Sequence, residues 1–466
     1  MNQNTFINAT TIENLLTRHI NSSPQKIDDI LAKALELKGL DIEDAATLIT
    51  ISDKDQLEKI FQTALKIKDE IYGNRLVLFA PLYVSNHCAN NCLYCGFRHD
   101  NKDMKRICLN IDEVKDETRI ILEEGHKRIL MLMGEHPAKC SFEYFLETID
   151  AAYAVKDSKG SSLRRVNIEI APLSDVQFAE LSHIPIGTYT CFQETYHEET
   201  YKKMHPSGKK SHYDWRLNVM DRALKNGLHD VGIGALFGLY DYRFEVLALL
   251  QHAKHLDETY RIGPHTISVP RIESAQNAPA SRIVPHPTAD TDFKKIVAVL
   301  RCAVPYTGII LSTRESPTMR NELFHLGISQ ISAGSRTSPG GYANAMINST
   351  VQEQFSVNDT RSTGEVIRSV IEQGFVPSFC TGCYRRGRTG QDFMELAKPG
   401  LIKAHCLPNA LLTLKEYLKD YADEETRIWG ENIIKKELLH IPSKNRMKKT
   451  EEYLKQVENG KRDLYF

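Results

Sequence analysis

The sequence predicts an α/β protein built on a (β/α)8 barrel of the TIM type, and three observations carry that expectation. From residue 76 on, short apolar runs rich in Val, Ile and Leu alternate with amphipathic stretches, the rhythm of strand and helix units around a parallel sheet. Eight such runs occur before the pattern changes. At 466 residues, the chain is long enough for one barrel with appendages at both ends.

Residues 1–74 read as a helical lead-in. Apolar residues recur at three- and four-residue spacing in IDDILAKALELKGL and LEKIFQTALKIKDEIYG, and Gly39 and Gly73 act as stops. The barrel is expected over 75–374, with strands at 76–84, 128–133, 166–171, 187–192, 230–236, 265–270, 308–312 and 328–333. Helices are expected at 112–124, 141–155, 213–226, 242–259 and 290–303, and the active site at the C-terminal ends of the strands. A last barrel helix at 362–373 runs antiparallel to the strands and returns the chain to the bottom face. Residues 375–466 then form a mostly helical C-terminal domain with a tail over 411–457, whose KNRMKKTEEYLKQ is a solvated helix face.

Composition narrows the class. With 41% hydrophobic and 26% charged residues and a formal charge of -1, the chain offers no field for a nucleic acid or an acidic membrane. The N-terminus lacks a basic segment followed by an apolar core, and no apolar run reaches the roughly 18 residues of a membrane span, so a cytoplasmic protein is expected. Six of the ten cysteines fall in two tight groups, Cys88, Cys92 and Cys95 and then Cys380, Cys383 and Cys406; Cys108, Cys140, Cys191 and Cys302 are scattered. That distribution suits metal ligands and buried thiols, not a secreted disulfide framework.

Each group supplies three thiolates. A structural zinc site normally closes with four ligands, whereas an iron-sulfur cluster on three cysteines leaves one iron open to substrate. Taken alone, CxxxCxxC also fits a zinc knuckle, and Cys380, Cys383 and Cys406 with His405 also fit a zinc ribbon.

CxxxCxxC after a first strand, followed by Gly96 and Phe97, resembles the radical S-adenosylmethionine (SAM) superfamily. The resemblance implies a 4Fe-4S cluster on Cys88, Cys92 and Cys95 whose open iron chelates SAM. It further implies that Gly134 and Glu135, after strand two, meet the SAM amino group, that Phe97 meets adenine, and that Gln193 and Glu194 in FQETY serve the ribose. Arg216 resembles the arginine that meets the SAM carboxylate. The chemistry implied is one-electron cleavage of SAM to methionine and a 5'-deoxyadenosyl radical.

Over about 71–408, the stretches NGLHDVGIGALFGLYDYRFE, GPHTISVPR, ILSTRE and GISQISAGSRTSPGGY resemble the tyrosine-lyase group, which holds the thiazole-pathway 2-iminoacetate synthases and the HydG-type maturases of (FeFe)-hydrogenase. The CxxCx22C of FCTGCYRRGRTGQDFMELAKPGLIKAHC resembles the auxiliary cluster site of the maturases. That branch implies cleavage of the L-tyrosine Cα–Cβ bond to p-cresol and dehydroglycine. Carbon monoxide and cyanide then form and join an additional iron on an auxiliary iron-sulfur cluster, with cysteine as co-ligand. Other hydrogenase maturation proteins and an electron donor are the implied partners. The alternative is a 2-iminoacetate synthase of thiamine biosynthesis, which stops at dehydroglycine.

In LSTRE, the resemblance makes Ser312 and Arg314 the anchors of the tyrosine, and guanidinium forks suit carboxylates; Arg271 is a weaker second candidate. His265 shares parity with Arg271. If Arg271 points into the top cavity, His265 points inward at the strand's start, near the second triad, as a candidate ligand of the additional iron. Top and bottom are separated by roughly 20 Å at about 3.3 Å per residue. Gly232 and Gly234, on one face of strand five, are the expected means of opening a passage through a normally packed barrel.

Overall fold

The computed structural model describes residues 6–18, 22–347 and 352–466, so positions 1–5 and 19–21 of the expected lead-in lie outside the described residues. Eight parallel strands close on themselves: β1 (Arg75–Ser85), β2 (Arg128–Met133), β3 (Arg165–Glu169), β4 (Tyr189–Thr190), β5 (Val231–Gly234), β6 (Thr266–Ser268), β7 (Gly308–Leu311) and β8 (Gln330–Ser332). Closure comes from β1, which pairs with β8 at Val77–Phe79 and with β2 from Ala80 upward. All eleven residues of β1 are buried, as expected of a strand covered on both faces by barrel interior and helices.

Helices Ile111–Glu123, Phe142–Tyr153, Tyr242–Tyr260 and Asp290–Ala303 follow their expected ranges closely, because side-chain caps mark several of their starts. Asn110 and Glu113 form a reciprocal capping box, and Ser141 and Asp241 cap the next two. The lead-in consists of Ala9–Arg18, Pro24–Ala34, Ile42–Ile49 and Lys54–Tyr72, and the last of these packs its apolar stripe on Asp290–Ala303.

Three elements differ from expectation. The helix expected at 213–226 breaks at Asn218 into Tyr213–Leu217 and Val219–Lys225. A ninth strand, β9 (Val376–Ser378), pairs parallel with the lower part of β1, Arg75 opposite Val376. It is three residues long and contains Pro377, too short for a periodic signal and tolerable only because it is an edge strand. The tail is three helices, Lys403–Asp420, Glu424–Leu438 and Lys444–Glu458, and the first starts well before residue 411 and runs through Pro408. Proline removes the bond to the carbonyl four residues back, and Arg446 Nη1 takes up that Ala404 oxygen at 2.8 Å. No helix among the described residues is long and apolar enough to cross a membrane.

Candidate functional site

A cavity opens at the C-terminal ends of the strands, where Cys88, Cys92 and Cys95 line one wall. Their loop leaves the end of β1 and is pinned by Arg106, whose guanidinium donates to the carbonyls of Asn86, Phe97, Arg98 and Asn101 at 2.7 to 3.2 Å. Asn101 Nδ2 adds a bond to the Gly96 carbonyl at 2.8 Å, and Gly96 N–H donates to Gln354 O at 2.9 Å. Burial pushes the Cys92 thiol up to about 12, and Lys210 works against that shift. Burial and the neighbouring Cys88 also raise Cys95.

Gly134 and Glu135 stand directly against this loop. A Cβ on Gly134 would run into the His87 carbonyl and meet Cys88 Cβ at 3.2 Å, so only glycine fits. Glu135 Oε2 accepts from Asn90 Nδ2 at 2.6 Å, which ties the end of β2 to the cysteine loop. Phe97 packs edge-on to Tyr83, with ring centroids 5.9 Å apart.

After β4, Phe192 and Glu194 face the cavity. Gln193, between them, is not in its wall: the side chain is buried with both polar atoms unpartnered, so strand alternation corrects the expectation that both polar residues reach the mouth. Glu194 holds a left-handed φ of 72° and lies 2.5 Å from Lys210 Nζ and 3.6 Å from Arg216 Nη2. Burial alone would raise its pKa, but the two cations hold it down to about 2. Arg216 also donates from Nε to Phe192 O at 2.5 Å. Buried Glu245 fastens the next turn by accepting from Thr195 Oγ1 and from Tyr196 N–H at 2.9 Å.

On the opposite side, Ser312 and Arg314 line the same cavity, and the Arg314 guanidinium stacks 3.4 Å from the Phe355 ring centre. Glu169, at the end of β3, completes the polar set; burial, then the charge of Glu194, push it up to about 7. Arg271 is not in the cavity. It pairs with Glu315, with Nε to Oε1 at 2.9 Å, and with Asp290 at 2.8 Å. Thr266, Ser268 and Pro270 are the inward residues on β6, so the parity argument that placed His265 loses its premise.

His265 nevertheless lies low in the barrel, 3.3 Å from Asp230 Oδ1 and against the Phe393 ring of the C-terminal segment, with ring centres 4.3 Å apart. Cys380 sits where β9 runs up to the start of β2, its carbonyl 3.5 Å from Arg128 Nη1. Its Sγ accepts from Gly382 N–H at 3.3 Å. Burial raises the thiols of Cys383, up to about 12, and Cys406, with Arg75 lowering the latter and Arg388 the former. The two triads thus occupy opposite ends of β1. His405 Nδ1 is engaged by Arg446 at 3.0 Å, and among the described residues no three Cys, His, Asp or Glu side chains gather closely enough to share one ion.

The chain matches the Radical SAM superfamily over residues 82–253 and the Biotin and Thiamin Synthesis associated domain over 268–376. A solved structure of HydG, a maturase of the [FeFe]-hydrogenase, is 49% identical and superimposes with a TM-score of 0.95 over 99% of this chain and 100% of that one. The chain belongs to the HydG family. HydG from Carboxydothermus hydrogenoformans matches at 39% identity and a TM-score of 0.82, over 96% of this chain and 97% of that structure. The 2-iminoacetate synthase of Escherichia coli strain K12 is 34% identical over 74% of this chain and 88% of its own length.

Membership of this radical SAM family implies a 4Fe-4S cluster and SAM. The residues present fit both: three thiols on one wall, cations at Lys210 and Arg106 that favour thiolates, and a glycine cradle at Gly134 beside Cys88. Sequence reasoning missed Arg106, Lys210 and Glu169 in this HydG-family cavity. Only Glu169 carried a signal, being two residues on from Asn167 on the inward side of β3. It also missed the arginines that open β1, β2 and β3, although RLVLF, RILML and RVNIE display them.

Proposed function

We propose that the chain is a radical SAM L-tyrosine lyase. It cleaves the Cα–Cβ bond to p-cresol and dehydroglycine, converts the fragment to carbon monoxide and cyanide, and assembles these with iron as an Fe(CO)(CN) precursor for the hydrogenase H-cluster. The observation that carries the reading is the pair of thiol triads at opposite ends of one barrel, the upper one in a cavity that also holds Ser312, Arg314 and Glu169.

Cys88, Cys92 and Cys95 would hold the cluster, which when bound would supply the electron that cleaves SAM to methionine and a 5'-deoxyadenosyl radical. Glu135 and the Gly134 backbone receive the SAM ammonium, the outer nitrogens of Arg216 its carboxylate, Phe97 its adenine and Glu194 its ribose. Arg314, held flat on Phe355, orients the tyrosine carboxylate with Ser312, and Glu169 faces the amine. Apolar walls such as Leu236 and Phe192 keep water from the radical. Cys380, Cys383 and Cys406 would hold an auxiliary iron-sulfur cluster, and His265, low in the barrel, would be a ligand of an additional iron there, with cysteine as co-ligand. The protein works in the cytoplasm with an electron donor and other maturation proteins.

The kinship with 2-iminoacetate synthase favours a second reading, in which the reaction stops at dehydroglycine. Incubating the cluster-loaded protein with dithionite, SAM and tyrosine separates the two. p-Cresol together with carbon monoxide is expected; p-cresol alone supports the second reading, and no p-cresol removes tyrosine as substrate.

A further inference from the structure

One segment at the mouth of the barrel serves both the cysteine loop and the far wall. Residues 352–359 follow β8 without regular structure. Gln352 Oε1 accepts from Lys105 N–H at 2.6 Å and its Nε2 donates to Asp103 O at 2.9 Å, both on the stretch that trails the first triad. Gln354 N–H donates to Thr337 O at 2.9 Å, Ser356 N–H to Ser274 O at 2.8 Å and Asn358 N–H to Thr313 O at 3.0 Å. The segment is thereby fastened to the loops after β8, β6 and β7 as well.

Its side chains divide the work. Phe355 carries the Arg314 guanidinium, as described above. Gln354, half-buried in the cavity wall, reaches the cysteine loop: Nε2 donates to Cys95 Sγ at 3.6 Å, and Oε1 accepts from Tyr83 O–H at 2.7 Å. Its carbonyl takes the Gly96 N–H at 2.9 Å, so main chain and side chain both bind the loop at Cys95 and Gly96. Glycine permits this approach, because a Cβ on Gly96 would stand 2.6 Å from Glu353 O.

The orientation of the Gln354 amide follows from chemistry. A cysteine that ligates iron is a thiolate and can only accept, so the N–H side must face Sγ and the oxygen falls to Tyr83. The reverse orientation would set a carbonyl oxygen against a thiolate. Tyr83, near the end of β1 and 4% exposed, holds the amide in the productive direction. Phe97, Met104 and Leu132 pack around Tyr83 and Cys95, and such dry surroundings strengthen a polar contact over its value in water.

An amide donor on a ligating sulfur bears on the electron. Reduction places further negative charge on a cluster and its thiolates, so the bond from Gln354 strengthens on reduction and favours the reduced form. Hydrogen bonds to the sulfurs are among the factors that set the potentials of such clusters. We propose that Gln354, held by Tyr83, is a positioning residue that makes the cluster on Cys88, Cys92 and Cys95 easier to reduce by donating to the Cys95 sulfur. This rests on the reading of those three cysteines as cluster ligands and is independent of tyrosine as the substrate.

The test uses the full chain with its clusters loaded, poised without oxygen at the midpoint of the wild-type upper cluster, with dithionite as the electron source. The upper cluster is the one whose EPR signal changes when SAM is added. In Gln354→Met, the ratio of reduced to oxidised upper cluster at that poise should fall by about three- to tenfold. In Tyr83→Phe it should fall by less, since the thiolate still attracts the amide. Formation of 5'-deoxyadenosine should fall by the same factor and recover with titanium(III) citrate, a stronger reductant, which a merely structural defect would not allow. Matched iron content guards against misfolding, and Gln354→Ala replaces the methionine variant if that loads poorly. A wild-type ratio of reduced to oxidised cluster in the loaded variant overturns the proposal, as does a loss of 5'-deoxyadenosine that the stronger reductant does not restore. A loaded wild type without a SAM-responsive signal overturns the cluster reading, and the proposal with it.

Discussion

Arg314 is half-buried, flat against Phe355, and among the described residues no carboxylate forms an ion pair with it, which leaves its fork for a substrate carboxylate. Losing a hydrogen-bonded charge pair of this kind costs about 1.5–3 kcal/mol, so Arg314→Met should raise the KM for tyrosine by roughly ten- to a hundredfold. Steady-state p-cresol formation measures it, and an unchanged KM would remove Arg314 from the substrate site. Glu169 gives a pH signature. Burial and Glu194 push its pKa up to about 7, so it is neutral below and charged above that point. If it meets the substrate ammonium, KM should fall as pH rises through about 7, and Glu169→Gln should flatten that profile. At this scale, the cysteines, Gly134 and Ser312 were legible because spacing and strand ends mark them. Lys210 was not, since its role comes from a loop that folds back onto Glu194.

Elements were legible where periodicity and caps coincide, as in Ile111–Glu123 with its capping box, and illegible where tertiary pairing alone creates them, as in β9. The turn after β4 belongs to the second kind: Glu245, on helix Tyr242–Tyr260, holds Thr195 and Tyr196 and so sets the backbone at Glu194. Burial raises the Glu245 pKa to about 8, and the hydrogen bonds from Thr195 and Tyr196 work against that shift. A carboxyl whose pKa is raised by folding contributes stability fully below its unfolded value and loses it as pH rises through the folded one. Thermal stability should therefore decline between about pH 5 and pH 8, and Glu245→Gln should shrink that decline. Glu245→Ala, which strands two buried donors, should cost about 1–3 kcal/mol in denaturant unfolding. A pH-independent melting temperature in the wild type would contradict the assignment.

At the scale of the whole molecule, barrel closure through β1 places one cysteine triad after its last residue and the other beside its first. Eight strands were countable in the sequence, but the partners of their first residues were not. Arg128 and Arg165 each read as an ordinary polar strand end until the barrel brings Gln330 to the first and Asp230 to the second. The central claim is that the two triads are separate sites with separate jobs. The most direct test compares wild type with the double variant Cys380→Ser, Cys383→Ser after cluster loading, measuring protein-bound iron, p-cresol and carbon monoxide in the same samples. Lower iron content, p-cresol retained and carbon monoxide lost are expected in the variant. Wild-type iron content with undiminished carbon monoxide in the variant would contradict the claim.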